Sequence, residues 1–130
     1  MRSEKEIHQR YLRDPISVRL GELASSLAGL EGISSHPSNV GAASCFLDES
    51  RHFILWTAHE AEPALRTELA ELAEQLNRWR SSISEIWSDS ERRVTVQKEA
   101  GIWSRRILDR SGLLQTEGTR APGMTQVGEG

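Results

Sequence analysis

Leu65, Leu69, Leu72, Leu76, Trp79, Ile83 and Ile86 follow one another at steps of four and three residues without interruption. Such steps return to one side of an α-helix, so the segment is a long two-sided helix with an apolar seam. A helix of this kind is marginal in water and draws its stability from burying the stripe. A packed helical partner is therefore required. Ile16, Leu20, Leu23, Leu27 and Leu30 make a second stripe of the same period, and Val96, Ala100, Trp103 and Ile107 a third. Between them Val40, Ala43, Phe46, Leu47, Phe53 and Ile54 form a broader arc. Its last turn, Phe53-Ile54-Leu55-Trp56, is apolar nearly all round, which marks this helix as the most enclosed of the set.

Stop and start signals divide these stripes. Asp14-Pro15 supplies a cap and then a proline where its missing N–H costs nothing. Gly29 and Gly32, followed by Ser34-Ser35-His36-Pro37, end that helix. The next runs from near Ser38 to about Thr57. His59 to Pro63 is a connection and an acidic helix start, favoured by the helix dipole. Ser88 and Glu91 have the spacing of a capping box that starts the last helix, and Gly112 stands where it stops. Ser3 and Glu6 repeat the capping-box spacing, so residues 1–13 form a short N-terminal helix or arm. Residues 115–130, rich in glycine and poor in apolar groups, read as a disordered tail. The period-two alternation of strands is absent. The expectation is an all-α fold: an antiparallel bundle of four main helices over residues 14–114 with a short extra N-terminal helix.

Sixteen basic against nineteen acidic residues leave a net charge of −3, which argues against a general electrostatic grip on nucleic acid. The basic side chains of the last helix are spread around it and mixed with acids, as on a solvated face. Cys45 is the single cysteine, so neither an intramolecular disulfide nor a cysteine zinc cluster can form. The start, MRSEKEIHQR, lacks the apolar run of a secretory signal, and no apolar stretch is long enough to span a bilayer. A reducing cytoplasm is the expected setting.

Two sets of residues are candidates for function. Cys45, Glu49, His52 and Trp56 fall on one side of the second main helix, away from its core arc. Glu49 and His52 have the Glu-x-x-His spacing by which one helix offers a carboxylate and an imidazole to a metal ion, with Cys45 one turn earlier as a third ligand. A di-metal bundle needs a second such pair, and the chain has none. On the last helix Val94, Gly101 and Leu108 lie seven residues apart, roughly opposite the core stripe and flanked by Ile102. A mid-helix glycine is unfavourable by about 0.5–1 kcal/mol, so something approaches the backbone there. Either another subunit uses this face, or the N-terminal helix covers it, or its apolar side chains are simply exposed. Trp56 and Trp87 lie off the centre of their stripes, where amphipathic rings serve interfaces. No residue has the surroundings of a catalytic nucleophile, and no cofactor motif is present.

The stretches ESRHFILWTAHEAE (Glu49–Glu62), EIWSDSERR and WSRRILDRSGLL resemble those of small, uncharacterised, all-helical proteins of cyanobacteria. The resemblance covers Asp14 to Leu114. It implies a soluble bacterial helical protein and carries no activity, cofactor or site residue. Taken together, the residues point to a non-enzymatic module for protein–protein contact or self-assembly, with a homodimer as one form of it and Trp56, Trp87, Val94, Gly101, Ile102 and Leu108 as its contact residues. The alternative is a metal- or small-ligand-binding bundle using Glu49, His52 and Cys45. A nucleic-acid-associated protein comes third.

Overall fold

The computed structural model describes residues 5–7 and 15–112. The described residues contain no strand, and the four longest helices form the all-α bundle expected from the stripes. They are α1 (Ile16–Ile33), α2 (Val40–Ala58), α3 (Pro63–Ser81) and α5 (Ser90–Ser111). A 3-10 turn (Pro37–Asn39) precedes α2, and α4 (Ile83–Trp87) lies between α3 and α5. Lys5–Ile7 is also helical. The rest of the expected N-terminal arm and the tail over 115–130 lie outside the described residues. No described helix is long and apolar enough to cross a membrane.

Side-chain contacts give each neighbouring pair its direction. Ser26 meets Ser50 while Gly29 meets Phe46, so α1 and α2 are antiparallel. Asp48 pairs with Arg80 and Ala58 with Arg66, which sets α3 against α2 in the same way. Arg106 reaches Glu68 and Arg110 reaches Glu62 across the α3–α5 seam. Ser104 donates to the carbonyl of Ala24 while Gly101 lies under Glu31, so α5 runs back along α1. The ring is therefore α1–α2–α3–α5, with α1 and α5 in the most extensive contact.

The four stripes meet inside. Leu23, Leu27, Leu30, Leu47, Leu69, Leu72, Leu76 and Ile107 are all at 0% exposure. These leucines come from α1, α2 and α3, so no pair of helices could bury its own stripe without the others. Small residues set the closest seams. A Cβ on Gly29 would stand 2.5 Å from Phe46 Cε1, so the missing side chain is what lets the α2 ring lie against α1. Gly29 and Gly32 thus sit inside α1 rather than ending it, and α1 continues to Ile33.

Two boundaries differ from the sequence reading. The seam from Leu65 to Ile86 is not one helix: α3 ends at Ser81, Ser82 adopts φ −120 and ψ 23, and α4 resumes at Ile83. Ser81 Oγ lies 3.0 Å from the Asn77 carbonyl and 3.1 Å from that of Arg78, the back-bonding by which serine competes with the helical ladder. Ile83 and Ile86 remain buried, so the stripe survives the break. The start of α5 is capped by Asp89, whose carboxylate accepts from the amides of Glu91 and Arg92, and not by Ser88. Ser88 donates instead to the Glu85 carbonyl. The α5 terminus is as read, with Gly112 in the left-handed region at φ 77.

Glu68 ties α3 to α5. Its side chain is 16% exposed and accepts from Arg106 Nη2 at 2.9 Å and Arg110 Nε at 2.6 Å. Burial pushes its carboxyl up, but the hydrogen bonds from Arg110 and Arg106 outweigh this and hold it below its ordinary value of 4.5. A carboxylate depressed in the folded state stabilises fully above the unfolded value and loses that contribution as pH falls through the folded one. Glu68→Gln should therefore lower stability at pH 7 by about 0.5–1 kcal/mol, screened because both arginines are partly exposed. Urea melts should show the gap narrowing as pH drops below 4.5; a gap of equal size in acid would contradict the assignment. Leu27→Ala, deep in the core, should cost about 2–5 kcal/mol in the same melts.

Candidate functional site

Helical register brings Cys45, Glu49, His52 and Trp56 to the outer side of α2, as the spacing requires. With Asp48 and Phe53 they line a cleft of about 340 Å³, whose remaining wall is Ile7. The His52 and Trp56 rings stack at 5.4 Å and 10°, and Phe53 meets Trp56 edge-on at 6.0 Å. Cys45 is exposed at the cleft's margin.

Glu49 does not turn toward His52 as a ligand would. Its Oε1 accepts a 2.9 Å hydrogen bond from Ser26 Oγ of α1, which in turn accepts from the fully buried Ser50 at 2.9 Å. The carboxylate thus anchors a polar relay across the α1–α2 seam, and the imidazole is engaged in stacking. Among the described residues no three histidine, cysteine, aspartate or glutamate side chains are grouped so as to hold a metal ion.

The contact residues named from the α5 pattern separate on inspection. Val94 is 51% and Ile102 44% exposed. They are eight residues apart, about 80° around the helix, and so lie toward the two edges of one face. Leu108 is half-buried and packs against the core. Gly101 is buried, and a Cβ there would stand 2.5 Å from Glu31 Oε2. Something does approach that backbone, but it is α1 of the same chain. Trp87 is 2% exposed, with its indole N–H donating to the His36 carbonyl at 3.2 Å. It is a core residue that fastens α4 to the α1–α2 connection. Trp56 is 9% exposed and is buried as well.

Sequence reasoning missed one concave surface. A groove of about 450 Å³ runs between α2 and α3, with Ile54, Leu55, Ala58, Ala70 and Ala73 as its apolar lining and Arg51, His52, Arg66 and Asn77 around it. Leu55 stands 67% exposed at its edge, although the run Phe53–Trp56 reads as enclosed on all sides. The available signal was the alanine spacing: Ala70 and Ala73 fall beside the leucine stripe of α3 and leave room where larger residues would close the seam. Arg66 is held in place, donating to the carbonyls of Ala58 and Ala61. Arg51 pairs with Asp48 at 3.1 Å.

Compared with known protein families, with curated proteins and with solved structures, the chain finds no match.

The stacked pair gives His52 a packing role. His52→Ala should cost about 0.5–1.5 kcal/mol through loss of the ring contact, with no change in zinc uptake measured by titration of the purified protein. One equivalent of zinc bound by the unaltered chain and lost in the variant would reinstate the imidazole as a ligand.

Proposed function

We propose that this chain is a non-enzymatic helical-bundle module that works by protein–protein contact, pairing with a second copy of itself. The observation that carries the reading is the α2–α3 groove with Leu55 exposed at its edge. A twofold interface uses one patch twice, so the patch must hold both a projection and a matching recess. Leu55 is the projection, and the alanine-lined floor at Ala58, Ala70 and Ala73 is the recess. Alanines at such a seam let another helix come close, the geometry of helix-in-groove recognition.

Arg51 and Arg66 flank the groove, and Glu71 and Glu74 stand exposed further round α3. The α5 positions Val94 and Ile102 are weaker carriers because the residues beside Val94 on that face, Gly101 and Leu108, are taken up within the chain.

Light scattering of the purified chain at micromolar concentration should give twice the 14.6 kDa chain mass. Leu55→Glu should return it to a monomer with unchanged helical circular dichroism, whereas Val94→Glu should leave the dimer intact. A strict monomer, or a dimer indifferent to Leu55→Glu, would overturn the proposal.

A further inference from the structure

The two arginines of the α2–α3 groove are held in different ways. Because α2 and α3 are antiparallel, Ala58 and Arg66 stand together at one end of the groove and Arg51 and Asn77 at the other. Arg51 has a counter-ion in Asp48, 3.1 Å away. Arg66 meets only carbonyls: its Nε donates to Ala58 at 3.1 Å and its Nη2 to Ala61 at 2.9 Å. These bonds fix the guanidinium without neutralising it. Among the described residues no carboxylate pairs with Arg66, and its Nη1 meets no acceptor. Between the two ends lie Ile54, Leu55, Ala70 and Ala73, and the described lining of the groove holds no acid. The result is an apolar slot with an anchored, uncompensated cation at one end.

We propose that this groove binds a single-chain aliphatic carboxylate, its head on Arg66 and its tail along Ala70 and Ala73 toward Asn77. Head and tail are both required. A carboxylate on a guanidinium gains charge-assisted hydrogen bonds, yet Arg66 is exposed, and an exposed pair contributes little by itself. The tail supplies the rest by covering Leu55 and the alanine floor. An aliphatic chain with a cationic head would meet Arg51 and Arg66 as like charges, so the sign of the head decides binding.

Dimensions agree. Arg66 and Asn77 are eleven steps apart on α3, about 16 Å, which seats an extended chain of about ten carbons. The groove's volume of about 450 Å³ falls within the range of small-molecule sites, about 300–1,000 Å³. The site rests on the groove alone and not on self-pairing. Where the chain does pair, the carboxylate and the second copy compete for the alanine floor.

Calorimetric titration of the full chain with sodium decanoate should show one site per chain. Decyltrimethylammonium, with the same tail and the opposite charge, should bind about tenfold more weakly or worse. Arg66→Met should weaken decanoate by about tenfold or more, while Arg51→Met should leave it within about threefold. Ala70→Leu leaves Arg66 in place and fills the floor, so it should block decanoate with helical circular dichroism unchanged. No saturable heat with decanoate, equal affinity for the two amphiphiles, or binding that survives Arg66→Met or Ala70→Leu overturns the proposal. Light scattering before each titration keeps this result apart from that of self-pairing. A monomer that binds decanoate upholds the site and sinks the pairing, and a dimer that takes none does the reverse.

Discussion

Simultaneous burial of four apolar stripes governs this structure. Leu27, Leu47, Leu72 and Ile107 reach zero exposure only because each stands opposite the other three helices. Removing any one helix would return a row of large apolar side chains to water, at about 25 cal/mol for each Å². The polar features follow from that geometry. Ser104 finds the Ala24 carbonyl because α1 and α5 come close, and the Ser50–Ser26–Glu49 relay satisfies hydroxyls that the α1–α2 seam would otherwise strand.

Most of the fold was legible in the sequence because period and punctuation are local properties. The leucine steps of α3 and the glycine after α5 needed no tertiary information. What escaped depended on neighbours. The stripe through Ile83 and Ile86 was right, yet the helix beneath it breaks, since the Ser81 hydroxyl offers the backbone another partner while the core holds the register. Gly29 looked like a helix end and is a contact point, because Phe46 belongs to a different helix.

The candidate sites were less legible for a related reason. Register shows which side of a helix a residue takes but not what stands opposite. Glu49 and His52 do share a side, and their roles were decided by Ser26 on α1 and by Trp56 one turn on. Trp87 lay off its stripe and is buried all the same, because the connection at His36 folds over it. Leu55 shows the converse: its neighbours in sequence are apolar, but small alanines on α3 leave it open to solvent.

The ion pairs Arg19–Glu60 and Arg110–Glu62 lie at the same end of the bundle. An even number of antiparallel helices returns the chain to the pole where it entered, and these pairs mark that pole. The opposite pole, closed by His36 and Trp87, carries only connections. The molecule is therefore polar in a mechanical sense. A pull applied through its flanking segments peels the first turn of α1 from the last of α5 at one end of their shared seam, the most extensive in the bundle, and leaves the far pole unstressed until the seam has opened.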